Sequence, residues 1–259
     1  MTSICEARCG RGLVRRSNQD NLFVNGKWRK AHEDTLFCLS DTAEQGLYAV
    51  CDGMGGEQFG EEAAELAAAG LQGVTPADFL THGEEILTDI NGEICRLMQQ
   101  RQARIGSTFV GLAVAQNRCR VFNIGDSPAY LLRDGELIKL TCDHTRAQSL
   151  VNMGFITLEE AAVHPDRNKL TQHLGIFPEE MVIQPHVTDE LELRSGDLFL
   201  LCSDGVTGMV SLPEIKEVLC ADSPLALRAD RLYALAEAHG GRDNITLVLV
   251  SVCDDKTVY

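Results

Sequence analysis

The sequence predicts an α+β fold, two packed sheets with helices outside them. Three observations carry that reading. Apolar runs rich in β-formers occur in both halves of the chain. Paired helical stretches come between and after them. A stretch from Arg146 to about Ile176 breaks the pattern, like an insertion lying over the sheets.

The elements follow in order. "NLFVNG" reads as a strand closed by an Asn-Gly turn, and "GLYAVCDG" as a second strand. Helical patterns cover about Gly60 to Leu71 and about Glu84 to Arg101. From Ser107 to Thr141 several strands follow, and "RDGEL" supplies a hairpin turn because Asp-Gly tolerates positive φ. "RAQSLVNMGFITLEEAAVHP" reads as two short helices divided by Gly154, with a capping box at Thr157 and Glu160. Strands resume over "VIQPHVTDELELRSGDLFLLCSDG". Helices near Pro213 to Cys220 and Leu225 to His239 precede a last strand, "NITLVLVSV". No internal repeat, low-complexity tract or long linker divides the chain.

Composition narrows the function. The 259 residues, 44% of them hydrophobic, suffice for a sizeable core. A net charge of −15 argues against nucleic acid as a partner, because phosphate backbones want Lys and Arg. The same charge suits acidic residues gathered around cations. Ten cysteines are scattered singly with no CxxC pair, which argues against a thiolate zinc site and for reduced thiols. No signal core and no run of 18 apolar residues is present, so the reading is a soluble, cytoplasmic protein with no membrane partner.

The chemistry lies in the aspartates. Four stretches share one layout, a hydrophobic run ending in Asp beside Gly, or Asp beside Asn: "AVCDGMGG" at Asp52, "FNIGDSPAY" at Asp126, "LLCSDGVTG" at Asp204 and "GGRDNITLV" at Asp243. A fifth, Asp20, follows a basic pair in "VRRSNQDN". Any one of them could be a turn residue. Five at the ends of apolar strands call for another explanation. Carboxylates held close by a rigid sheet repel one another unless a cation neutralises them, and all-oxygen ligands suit Mg²⁺ or Mn²⁺. Asp52 is placed to bridge such ions, with Gly53 and Gly55 leaving room around them. Two ions a few ångströms apart can activate a water and balance charge on a phosphoryl group. Arg15 and Arg16 can supply a guanidinium for its outer oxygens. The glycine-rich stretch "GMGGEQFGEEAA" lacks the spacing and the Lys-Ser/Thr of a nucleotide loop.

Six segments in order, "GLVRRSNQDN", "YAVCDGMGGEQFGEEAA", "GSTFVGLAV", "FNIGDSPAYLLRDGELIKLTCDHT", "LLCSDGVTGMVS" and "GGRDNITLVLV", resemble the metal-dependent Ser/Thr protein phosphatases of type 2C, the PPM family, in its bacterial form. The resemblance runs from about Ile4 to Val252. It implies a β-sandwich of two antiparallel sheets flanked by helices, a single phosphatase domain over 1–259, and a flap at about 146–176 beside a metal cleft. It implies hydrolysis of phosphoserine and phosphothreonine in proteins by a water activated between two Mn²⁺ or Mg²⁺ ions. The alternative is a catalytically silent member that binds phosphoproteins.

The resemblance also assigns roles. Asp52 bridges two core ions, and the Gly53 carbonyl ligates one. Asp204 and Asp243 complete the other. Asp20, counted with both the catalytic and the metal residues, holds metal-bound water. Asp126, with Asp204 shared, holds a third, weaker ion. Arg15 rather than Arg16 grips the phosphate. A Ser/Thr kinase and its substrates are the implied partners of a monomer. The chain departs from the family at Gln19, where Glu is common, at Pro128, where Arg is common, and at Met54, where some members have His. His144 reads as a loop hydrogen-bonding residue at the flap entrance, His164 and His173 as structural or solvated, and Cys51 and Cys202 as core fillers.

Overall fold

The computed structural model describes residues 1–33, 35–55 and 59–254. Gly56, part of the glycine-rich turn after Asp52, and the end of the domain read as 1–259 lie outside these residues. The strands are β1 (Thr2–Gly10), β2 (Asp20–Val24), β3 (Lys27–Trp28), β4 (Phe37–Ala43) and β5 (Gly46–Met54). Helices α1 (Gly60–Ala69) and α2 (Pro76–Arg101) follow. Next come β6 (Gly106–Ser107), β7 (Phe109–Ala115), β8 (Arg118–Ile124), β9 (Ala129–Arg133) and β10 (Glu136–Lys139). The short helices α3 (Arg146–Asn152) and α4 (Leu158–Ala162) lead to β11 (His186–Val187), β12 (Leu191–Glu192) and β13 (Leu198–Cys202). Helices α5 (Asp204–Thr207), α6 (Leu212–Cys220) and α7 (Leu225–Ala238) precede β14 (Ile245–Cys253).

The strands form two antiparallel sheets. One has the order β10-β9-β13-β14-β1-β4, and the other β11-β8-β7-β5-β2-β3, with β12 on β8 and β6 on β5. Side chains alternate between faces along each strand. In β14, Val248, Val250 and Val252 enter the core between the sheets, while Ile245, Leu247 and Leu249 pack under α6 and α7. In β5, Tyr48 and Val50 point between the sheets, and Leu47, Ala49 and Cys51 pack under α1 and α2. Both faces of each sheet are therefore covered, which is why these strands read as unbroken apolar runs. The result is four layers: helix, sheet, sheet, helix.

Local chemistry behaves as read from the sequence at the turns. Asn25 and Gly26 have φ of 47° and 85°, and Asp134 and Gly135 have 53° and 76°. Each pair closes a two-residue hairpin that needs positive φ at both positions. The Thr157–Glu160 capping box forms, and Gly154 separates α3 from α4 at a φ of 75°. The second helix begins earlier than its apolar pattern suggests. It starts at Pro76 rather than near Glu84, with Thr75 capping Asp78 N and a break in helical geometry at His82. Thr-Pro followed by Asp two residues later is an ordinary start signal that the weak periodicity before His82 masks. Strand β1 escaped the sequence reading because its outward-facing Glu6 and Arg8 are charged; Arg8 is nevertheless covered, hydrogen-bonding Asp230 and the Ala226 carbonyl of α7.

Candidate functional site

Alternation along the strands builds the site. Leu22 and Val24 of β2 and Tyr48 and Val50 of β5 line the core between the sheets. Asp20 and Asp52 continue these two stripes to the end of the sandwich, where the apolar filling stops. They face each other directly in the β2–β5 register. Asp204 follows β13 at the start of α5, Asp243 precedes β14, and Asp126 sits in the loop after β8. Five segments far apart in sequence thus deliver their carboxylates to one end of one layer.

A cavity of about 250 Å³ opens there. Arg15, Asp52, Gly53, Asp126, Asp204 and Asp243 line it, together with Gln19, Met54, Thr108, Asn244 and the flap residues Asn168 and Leu170. Arg16 is not in the wall. Asp20 lies behind it, 1% exposed, with its Oδ2 accepting a 2.7 Å hydrogen bond from Ser203 Oγ. A larger concavity of about 670 Å³, between α1, α2 and Lys30–His32, shares no residue with this cluster. Convergent titratable groups, not size, locate the site.

The electrostatics are those of crowded acids. Burial, then the neighbouring carboxylates Asp204 and Asp243, lift Asp20 from 3.8 to about 7 against the opposing Ser203 bond. Burial and Asp204 lift Asp126 to about 7. Burial and Asp243 lift Asp204 to about 6. Asp52, with four aspartates around it, rises well above the ordinary range, mainly through loss of water. Asp243 is instead held by Arg15, whose Nη2 lies 2.7 Å from its Oδ2.

In this arrangement no three His, Cys, Asp or Glu side chains among the described residues close on a point in ligand geometry. The donor set nonetheless fits hard cations. It is all oxygen, crowded and short of water, and protons and Arg15 stand where positive charge is needed.

Several supporting residues carried no clear sequence signal. Asn244, 5% exposed, accepts from Gln19 N and donates to the Arg11 and Ser17 carbonyls, which fixes the loop bearing Arg15. Thr108 Oγ1 accepts from Asp52 N and bonds Ser127 Oγ, while Thr108 N donates to the Asp52 carbonyl. Gln19 Nε2 donates to Glu61 Oε2, so the carboxylate missing at position 19 is present one hydrogen bond away. His144 Nδ1 accepts from Gly125 N beside Asp126, a loop contact as expected, and burial lowers its pKa. Cys51 and Cys202 are core residues.

Gly53 also has a packing role that the sequence does not announce. A Cβ there would meet the Gly60 carbonyl at 2.2 Å and the Gln19 carbonyl at 2.5 Å. The absent side chain makes room for the packed backbone of Gln19 and Gly60.

A model of the protein phosphatase 2C family matches residues 29–237. The serine/threonine protein phosphatase PstP of Mycobacterium tuberculosis is 35% identical over 254 residues, covering 96% of this chain; the chain spans 45% of that protein's length. The protein phosphatase PhpP of Streptococcus pneumoniae is 36% identical over 239 residues, 89% of this chain and 95% of the relative. The crystal structure of the PstP catalytic domain in complex with two manganese ions superposes with a TM-score of 0.78 at 34% identity, covering 98% of this chain and all of that one. A family-model match over most of the chain, a relative 36% identical along nearly its whole length and a shared fold together show that this chain belongs to the protein phosphatase 2C family.

Proposed function

We propose that the chain is a metal-dependent phosphatase acting on phosphoserine and phosphothreonine in proteins. One observation carries the reading: five aspartates from five segments crowd around a 250 Å³ cavity whose rim holds a guanidinium. Such a cluster is costly to fold unless cations complete it. The names of the relatives and the manganese of the PstP structure support the same chemistry.

Asp52, Asp204 and Asp243, with the Gly53 carbonyl, would hold two core Mn²⁺ or Mg²⁺ ions. Asp126, with Asp204, would hold a third more weakly. When bound, these ions supply a nucleophilic water at neutral pH and neutralise the phosphoryl oxygens. The rest falls to the chain. Arg15, more than half exposed on its side chain, can leave Asp243 and fork onto the phosphate. Asp20, fixed by Ser203, holds a proton acceptor behind Asp52. Asn168 and Leu170 of the flap region contribute to the lining of the same cavity.

The whole of 1–259 would act as one catalytic domain, with 146–176 as its flap. The same reading takes the protein as a cytoplasmic monomer that signals opposite a Ser/Thr kinase; ten cysteines without a disulfide support a reducing compartment. No helix among the described residues is long and apolar enough to cross a membrane. The test is hydrolysis of a phosphothreonine peptide with Mn²⁺, with EDTA, and with Asp204→Ala. Metal-dependent turnover that the substitution removes supports the reading. A folded protein that binds Mn²⁺ but releases no phosphate would favour a silent phosphoprotein-binding role.

A further inference from the structure

Arg29 is the largest fully buried side chain among the described residues, with 0% exposure. It follows the β2–β3 hairpin, and Asn21 pins its backbone from both sides: Arg29 N donates to Asn21 Oδ1, and Asn21 Nδ2 donates to the Arg29 carbonyl. Among the described residues the guanidinium has no carboxylate as a hydrogen-bond partner. Nη2 donates to the carbonyls of Asn18 at 2.8 Å and Asp20 at 2.7 Å, and Nη1 to those of Lys30 and Glu33. Nε has no partner among the described residues. A buried charge satisfied by backbone alone is expensive, and it is rarely kept without a reason.

The reason lies in what it grips. Asn18 and Asp20 bracket Gln19, whose side chain lines the aspartate cavity. The turn is tightened from within, because Asn18 Oδ1 accepts from Asp20 N. The 2.7 Å contact with the Asp20 carbonyl places the cation directly behind the acidic cluster. We propose that Arg29 is a positioning residue for the metal centre: its fork locks the Asn18–Asp20 turn so that Asp20 faces Asp52. The proposal rests on the metal-site reading above.

Position and charge predict opposite signs. Removing a cation from behind a metal site should tighten metal binding. Releasing the Asp20 turn should weaken it. Calorimetric titration with Mn²⁺ of wild type, Arg29→Lys and Arg29→Met, each checked by circular dichroism and thermal melting, separates the two. Lys keeps the charge but offers its three donors from a single point, so it cannot span carbonyls on both sides of a planar fork.

The expected result is folded Arg29→Lys protein with its Mn²⁺ Kd raised about tenfold or more. Folded variants that bind Mn²⁺ as tightly as wild type, or more tightly, would overturn the proposal. So would loss of folding in both variants, which would assign Arg29 to the fold as a whole. Absence of Mn²⁺ binding by the wild type would instead overturn the metal-site reading.

Discussion

Asp20 and Asp52 stand directly opposite each other across the β2–β5 ladder. Side chains paired in this way have Cβ atoms about 4.5–5.5 Å apart, and like charges there are destabilising. The chain adds Asp204, Asp243 and Asp126 to the same end of the sheet. The fold without metal is therefore under electrostatic load, and its response to protons and cations is predictable.

The first prediction concerns pH. Asp20 and Asp126 rise from 3.8 to about 7 in the fold, and Asp204 to about 6. A carboxyl with a raised folded pKa binds its proton more tightly in the native than in the unfolded state. Its contribution to stability is full below about pH 4 and is lost as pH rises through 6 to 7. The metal-free melting temperature should carry a downward trend over that window. Asp126→Asn should flatten the trend, read by melts in EDTA from pH 5 to 8.

Metal binding should show the mirror image. Cations must displace the protons held by these carboxyls, so Mn²⁺ affinity should fall as pH drops below about 7. Proton release should be seen at pH 6.5 as a binding enthalpy that depends on the ionisation heat of the buffer. An enthalpy independent of buffer would contradict the raised carboxyls.

Arg15 and Asp243 give a prediction that separates phosphate from metal. The guanidinium occupies Asp243 at 2.7 Å in this structure. Arg15→Lys loses the planar fork that matches phosphate, and kcat/KM on a phosphopeptide should fall about 10- to 100-fold. Mn²⁺ affinity should hold or improve, because Asp243 loses a competing partner. Parallel steady-state kinetics and calorimetry would show this split. Weakened Mn²⁺ binding would place Arg15 in support of the metals instead.

Gly53→Ala tests the packing at the tip of β5. The new Cβ would meet two backbone carbonyls at 2.2 and 2.5 Å, neither able to rotate away as a side chain would. The expected cost is about 1–3 kcal/mol, typical of overpacking. Urea denaturation in EDTA measures it without interference from metal binding. An unchanged midpoint would show that the Gln19 and Gly60 backbones have slack.

The sequence by itself determined the parts whose causes are local. The hairpins at Asn25–Gly26 and Asp134–Gly135 need positive φ, and their residues announce it. The capping box at Thr157 and Glu160 is written in four residues. Apolar runs ending in Asp marked Asp52, Asp126 and Asp204, which line the cavity, and the family resemblance singled out Arg15, which lines it while Arg16 does not. Tertiary structure decided the rest, because pairing across long separations leaves no trace at a single position. Only the register of β2 on β5 sets Asp20 against Asp52. Only the convergence of loops makes Asn244 the fastener of the Arg15 segment, and Glu61 the carboxylate behind Gln19. Arg29 shows the limit most clearly: in sequence it is one more surface-like cation in "KWRK", and burial against backbone carbonyls 9 and 11 residues away makes it part of the site.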